Sequence, residues 1–354
     1  MSAKQLPTTY GKSVIERKLG EGGMGTVYLG RHQSLGIPVA IKVLPEYLTM
    51  KDPIYAQRFA REARLSAKLR HPNIVSVMDY GIEGRHHYLV MEYIAGLTCN
   101  QKVEREKKLI WPEAVKIVRQ VADGLGYAAK KGIIHRDVSP ANILLDNDGV
   151  AHIADLGLAR EITVDPKKVR LTRTGTSLGT PYYASPEQIV DASTVDSRSD
   201  IYSLGVTFYY LVCGKVPYTG TAFEVMAKHV QAPLPSPKEH ELDLPDAVCD
   251  VIKKMVAKKP EGRYQSYEEL CQDLDRLLKE AEVSAAGCKD ESMVLKRADA
   301  AQLPDEKGSG EVAMRSSQKT AIVVPERTRG KLIVYIVAAA VAVAAAVVAI
   351  LLRG

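Results

Sequence analysis

The chain has 354 residues, 46% hydrophobic and 25% charged, which is a globular composition with room for two packed units or one bilobed one; disorder, collagen and a small disulfide-stapled scaffold are excluded. Its net charge of +6 is the small difference between 48 basic and 42 acidic residues with no long basic run, so no nucleic-acid partner is expected. Five cysteines (Cys99, Cys213, Cys249, Cys271, Cys288), odd in number, widely spaced and without a C-x-x-C, argue against a disulfide framework or a zinc site and for a reducing compartment.

Residues 1–9 form a short extension with no apolar core, so no signal peptide is expected. Residues 13–19 then alternate as a strand, residues 20–25 turn, and residues 26–30 alternate again, a hairpin with a glycine-rich tip. Gly20, Gly22 and Gly25 make a G-x-G-x-x-G whose backbone N–H groups could approach phosphate oxygens closely. Taken alone, the same glycines also suit a flexible hairpin tip. A dinucleotide-binding turn fits worse, because a strand rather than a helix follows and Pro45 stands where an acidic residue belongs.

Next comes Val39-Ala40-Ile41-Lys42-Val43-Leu44, an apolar strand interrupted by one lysine, an ammonium well suited to sit beside a phosphate cradle. A helix is expected over residues 58–69, with Glu62 placed to reach inward toward Lys42, although a charged helical residue is ordinarily solvated. His86 and His87, adjacent on a strand, point to opposite faces, and His152 is expected on an exposed strand, so a histidine metal or redox site is not supported. Trp111 is expected to pack at the start of a long helix, Pro112 to Lys130, with a core-facing stripe of Val115, Val118, Ala122, Leu125 and Ala129.

Gly20-x-Gly22-x-x-Gly25-x-Val27, Val39-Ala40-Ile41-Lys42 and Glu62 resemble the small lobe of a protein kinase. The resemblance continues through His135-Arg136-Asp137-Val138-Ser139-Pro140-Ala141-Asn142, similar to the catalytic loop H-R-D-x-x-x-x-N, and Asp155-Leu156-Gly157, where D-F-G belongs. Gly179-Thr180 and Ser185-Pro186-Glu187 resemble the end of the activation segment. Asp200 and Arg263 match the buried aspartate of a core helix and the arginine that pairs with Glu187. More narrowly, GEGGMGTVY, HPNIV, ASPEQ and RSDIYSLG look like the bacterial Hanks-type serine/threonine kinases.

That resemblance implies an α+β, bilobed protein-kinase-like fold over residues 10–281, with a small β-rich lobe to about 94 and a larger, mostly α lobe from about 95. It implies ATP and Mg2+, or Mn2+ in its place, as cofactors, and protein substrates, the chain itself included. Leu19, Gly20, Glu21, Gly22 and Gly23, with Met24, Gly25, Thr26 and Val27, would cover the nucleotide. Adenine would lie between Val27 and Ala40 above and Leu144 below, against the backbone of Glu92 and Ile94, with Met91 as gatekeeper. Lys42, held by Glu62, would take the phosphates. Asn142 and Asp155 are hard oxygen donors suited to the metal, Asp137 would accept the substrate hydroxyl's hydrogen, and Thr180 joins these as a catalytic residue. Thr172, Thr174, Thr176 and Ser177 are phosphosite candidates whose phosphates would reach Arg136.

Two positions depart from the pattern. Leu156 replaces phenylalanine in D-F-G and keeps an apolar plug. Ser139 stands where serine/threonine kinases carry a lysine, and Ala141 supplies no cation in its place; the lost charge-assisted donor is worth on the order of 1.5–3 kcal/mol, about tenfold to a hundredfold in rate. The alternative reading is therefore a nucleotide-binding, membrane-tethered pseudokinase scaffold.

Residues 282–330 mix small and charged residues without a sustained period and read as a flexible tether. Residues 332–352 carry no charge and, as a helix, would span about 31 Å, one transmembrane helix rather than a core helix needing protein on every side. Arg327, Arg329 and Lys331 precede it and Arg353 follows, which places a single-pass protein in the cytoplasmic (inner) membrane with the kinase-like part in the cytoplasm. Ala338, Ala342 and Ala346 recur every four residues, a face narrow enough for a homodimer of helices, though the span could equally be an anchor alone.

Overall fold

The computed structural model describes residues 8–22, 25–51, 54–156 and 181–299. The chain divides into two compact units, Met1–Leu295 and Lys296–Gly354, and every contact described below lies within the first.

The small lobe is an antiparallel sheet ordered β1-β2-β3-β4-β6-β5. Its strands are β1 (Thr9–Tyr10), β2 (Ser13–Gly22), β3 (Gly25–His32), β4 (Pro38–Val43), β5 (Val77–Glu83) and β6 (His86–Glu92). Two helices, α1 (Glu46–Lys51) and α2 (Ile54–Ser66), follow β4. The alternation along β4 decides the lobe's two faces. Val39, Ile41 and Val43 pack with Tyr10, Tyr28, Tyr88 and Val90 on one side, whereas Ala40 and Leu44 join Phe59, Ala63, Leu89 and Met91 on the other. Lys42, two residues beyond Ala40, is thereby turned onto the same second face, opposite Val27 on β3 and Leu89 on β6. The glycine-rich tip is narrower than residues 20–25, since Gly22 still pairs with Gly25. α2 begins at Ile54 and ends at Ser66, earlier at both ends than the helix expected over residues 58–69.

After β6 the chain enters a second, three-stranded sheet, β7 (Gly96–Thr98), β8 (Ile143–Asp146) and β9 (Ala151–Ile153), in the order β7-β8-β9. Gly96 lies at the surface, yet a Cβ there would meet the Leu145 carbonyl oxygen at 1.8 Å, so only glycine lets β7 approach β8. His152 is half-buried on β9 with Nε2 3.1 Å from Asp146 Oδ2, not on an open face, because the tight turn between β8 and β9 brings that carboxylate back over it.

The large lobe carries α3 (Cys99–Glu106), α4 (Trp111–Lys130), α5 (Pro186–Val190), α6 (Ser197–Cys213), α7 (Ala222–Gln231), α8 (Asp246–Met255) and α9 (Tyr267–Asp299). α4 starts at Trp111, and its stripe of Val115, Val118, Ala122 and Leu125 is buried, with Ala129 packed at the edge. α6 is buried on nearly every side from Ser199 to Tyr209, so it forms the axis of the lobe; Gly214 ends it in the left-handed conformation at φ 67°. α9 continues through residues 282–299, where a flexible tether was expected. Those residues lack an amphipathic period, but ten of the eighteen are Ala, Glu, Lys, Arg, Met or Leu, residues of high helix propensity. Among the described residues no helix is long and apolar enough to cross a membrane; residues 332–352 lie outside them.

Candidate active site

β4 delivers Lys42 to the cleft between the lobes, where it is 3% exposed and its Nζ lies 2.8 Å from Asp155 Oδ2. Asp155 follows β9 in the left-handed conformation at φ 59°, a backbone state that L-residues adopt only at a cost. Its second oxygen, Oδ1, is buried and has no hydrogen-bond partner among the described residues. A buried unpaired oxygen costs about 1–3 kcal/mol, so a cation bound there would relieve it. Glu62 sits on α2, but its side chain lies outside the described part of the structure, as do Gly23, Met24, Thr180 and the phosphosite candidates Thr172, Thr174, Thr176 and Ser177.

The catalytic-loop residues hang from α6. Asp200, 2% exposed, accepts hydrogen bonds from the backbone N–H of His135 at 2.7 Å and of Arg136 at 2.8 Å. Burial pushes the Asp200 carboxyl up, against the opposing pull of His135 and the two N–H groups. Arg136 is turned into the left-handed region at φ 66°. His135 is fully buried, and its tautomer follows from its partners. The Ala154 carbonyl, 2.9 Å from Nε2, can only accept; the Asp137 N–H, 3.2 Å from Nδ1, can only donate. The imidazole, with Nε2 donating and Nδ1 accepting, therefore joins Asp137 to the residue preceding Asp155.

Asn142 closes the loop. Its Nδ2 donates to the Asp137 carbonyl at 2.7 Å and to Asp137 Oδ2 at 3.0 Å, which commits the amide nitrogen and leaves its hard oxygen as the remaining polar atom. Desolvation pushes the Asp137 carboxyl up, countered by His135 and the Asn142 hydrogen bond, reinforced by Asp155 and countered again by Lys42. Ser139 precedes the 3-10 turn Pro140–Asn142 without a side-chain capping bond, so its hydroxyl is not needed to form that turn.

Above and below this polar cluster lies an apolar slot. Ala40 and Met91 are buried, and Val27, Ile94, Leu144 and Ala154 pack against them half-buried. Ala154 was not singled out in the sequence; its place before Asp155 was the available signal. The N–H of Glu92 is taken by the Ser76 carbonyl at 2.9 Å, so a base could hydrogen-bond this residue only at its carbonyl. Leu19, Glu21 and Thr26 border the glycine tip, with Glu21 paired to Lys18 and opposite Thr26.

The three glycines differ in what they are for. Gly25 has φ 132°, and a Cβ on it would meet the Val43 carbonyl oxygen at 2.2 Å, so the fold itself demands glycine. Gly20 and Gly22 have no atom within 4 Å of an added Cβ. No contact among the described residues requires them, and their open side suits close approach of an anionic ligand to backbone N–H groups.

Two further contacts were not legible in the sequence. Ser66 Oγ on α2 donates to the Leu156 carbonyl at 3.0 Å, tying that helix to the residue after Asp155. Gln188 Nε2 on α5 donates to the Arg136 carbonyl at 2.7 Å, tying the end of the activation segment to the catalytic loop. Leu156 itself is buried in the core of the large lobe.

The family model described as the protein kinase domain matches residues 13–274. The chain is 36% identical over 265 residues to the serine/threonine-protein kinase PrkC of Bacillus subtilis, covering 75% of this chain and 40% of that one. It is 39% identical over 265 residues to the serine/threonine-protein kinase PknB of Mycobacterium tuberculosis, covering 73% of this chain and 42% of that one. A probable serine/threonine-protein kinase of Clostridium acetobutylicum is 35% identical over 264 residues, 74% of this chain and 39% of its own. The chain thus spans about two fifths of the length of these curated relatives. Among solved structures, the Mycobacterium tuberculosis PknI kinase domain superposes with a TM-score of 0.61 at 29% identity, covering 77% of this chain and 99% of that one.

Proposed function

The chain belongs to the protein kinase family, and from its site we propose that it transfers the γ-phosphate of ATP to serine and threonine hydroxyls of proteins, itself included. The observation that carries this is the convergence of Lys42, Asp155, Asn142 and Asp137 in one cleft, with Asp155 Oδ1 buried and unpartnered. Asp155 and Asn142 fit a divalent metal, magnesium or manganese, as hard oxygen donors. Held by those two residues, such an ion would supply positive charge to offset that of the phosphates.

The chain's own residues do the rest. Lys42 presents its ammonium to the phosphates from the same face of β4 that carries Ala40. Gly20 and Gly22 let backbone N–H groups close over them, while Val27, Ala40 and Leu144 exclude water from the base. Asp137, held by Asn142 and oriented through His135, accepts the hydrogen of an incoming hydroxyl and aligns its oxygen for attack.

The activity is attached to a membrane in this reading. The uncharged run at 332–352 acts as a single-pass span, the residues after α9 as a tether, and the basic residues before the span keep residues 10–281 on the cytoplasmic side. Pairing of two spans through Ala338, Ala342 and Ala346 would promote phosphorylation between copies at Thr172 and Thr174, with Thr176 and Ser177 as further acceptors.

The test is incubation of the chain with labelled ATP and magnesium, reading label in the protein itself. Wild type incorporates it, and Asp137→Asn abolishes incorporation while ATP still binds, because Asp137 contributes nothing to the nucleotide cradle. One observation favours the pseudokinase scaffold instead, namely Ser139 in place of a cation. ATP binding without incorporation in the wild type would establish that second reading.

A further inference from the structure

We propose that His229 is a positioning residue for protein substrates, holding residues 181–184 as a fixed platform beside Asp137; the inference rests on the phosphotransfer reading of the site. His229 sits on α7 and is fully buried. Its Nε2 lies 2.9 Å from the Tyr182 carbonyl oxygen, which can only accept, so Nε2 carries the proton. Its Nδ1 lies 2.9 Å from the Tyr202 hydroxyl and accepts from it. Both ring nitrogens are thus satisfied in the neutral form, and the imidazole serves as a bridge from α6 to a loop backbone.

The bridge is one of three anchors on a short stretch of chain. Tyr182 is held by His229; Glu187 is gripped by Arg263, whose guanidinium also stacks 4.9 Å from the Tyr202 ring; Gln188 binds the carbonyl of Arg136, the neighbour of Asp137. Residues 182–188 therefore run from α7 to the catalytic loop. Gln188 joins this stretch to the neighbour of Asp137, and residues 181–184 on it are half-exposed, so the adjoining residues of a peptide presenting its hydroxyl to Asp137 would lie along it. Lys258 fixes the other end of the bridge by donating to the His229 carbonyl at 2.8 Å and to the Tyr218 hydroxyl at 3.0 Å, while the Tyr218 ring packs edge-on against the imidazole at 5.0 Å.

An apolar side chain would fill this buried place without desolvating two nitrogens. What only a donor supplies is a hydrogen bond to the main chain of the loop, which sets its height above α7 whatever side chains it carries. Burial, aided by the Lys258 charge, pushes the imidazole down to about 4, which keeps it neutral and bridging at physiological pH.

The experiment compares full-length wild type, His229→Leu and His229→Gln, measuring kcat and KM for ATP and for dephosphorylated casein, together with hydrogen–deuterium exchange over residues 181–188. In His229→Leu the KM for casein rises about five- to tenfold, the range of one lost hydrogen bond, while the KM for ATP stays unchanged. Exchange over the segment quickens in the same variant. In His229→Gln, whose amide N–H replaces that of Nε2, both return toward wild type. Unchanged casein KM and exchange in His229→Leu, or equal losses toward ATP and casein, overturn the proposal. A wild type that transfers no phosphate but whose exchange responds as described overturns the phosphotransfer reading while the anchoring of the segment stands.

Discussion

Arg263 grips Glu187 with both outer nitrogens of its guanidinium, at 2.6 and 2.8 Å, with none of the arginine side chain exposed. The remaining donors are used as well, on the carbonyls of Ala257, Lys258 and Arg198. Burial alone would raise the Glu187 carboxyl, but hydrogen bonds from Arg263 and from Ser199, at 2.5 Å, outweigh it and hold the group below its ordinary range.

Removing one member of this pair leaves a buried charge without a partner. Glu187→Gln is expected to cost about 3–5 kcal/mol in urea denaturation. Arg263→Lys should lose nearly as much, because a point charge cannot span both carboxylate oxygens. A loss below about 1 kcal/mol for either would show that the pair is merely a surface-type contact.

The division of labour among the glycines separates stability from binding. Gly25→Ala should lower stability by at least about 2 kcal/mol, through its positive φ and the Val43 carbonyl. Gly20→Ala should leave the urea midpoint nearly unchanged and raise the Kd for ATP. Parallel titrations of the two variants check this, and equal destabilisation by both would remove the argument that Gly20 serves a ligand.

Ser139→Lys should raise the rate of phosphoryl transfer by about tenfold, since the hydroxyl caps nothing and an ammonium there would offset charge developing on the transferred group. Steady-state turnover of the two proteins decides it. A folded variant with an unchanged or lower rate means that another group already supplies that charge.

His229 gives a pH dependence with a definite sign. Its pKa is near 6.5 when unfolded and about 4 when folded, so between those values the unfolded chain binds a proton that the folded one does not. Stability contributed by keeping the ring neutral is whole above about 6.5 and falls by roughly 1.4 kcal/mol per pH unit as the pH drops toward 4. Urea midpoints of wild type and His229→Gln at pH 7, 6 and 5 should converge on acidification. A difference independent of pH would place the titration elsewhere.

Much of the site could be read from the sequence because it is encoded locally. The single lysine in the apolar run 39–44 marked Lys42, and the stripe from Val115 to Leu125 marked the buried side of α4. What could not be read depends on partners far apart in the chain. The His135 tautomer needs Ala154, the Ser66 hydroxyl needs the Leu156 carbonyl, and His229 needs Tyr182 across 47 residues. No periodicity reports such meetings. The glycine motif was ambiguous for a related reason, since three identical letters hide one residue required by the fold and two that it leaves free. The extension of α9 has no amphipathic face to announce it, and propensity over residues 282–299 is too weak a signal to predict a helix there.

Gly96 shows how poorly exposure ranks a position's freedom to vary. Saturation mutagenesis scored by growth or by folding would ordinarily find its most permissive sites among solvent-facing residues such as this one. Instead, a single carbon added here strikes the main chain of β8, which carries Leu144 on the floor of the base-binding slot, and main chain cannot rotate aside as a side chain can. Residue 96 is thus a surface position with an alphabet of one letter.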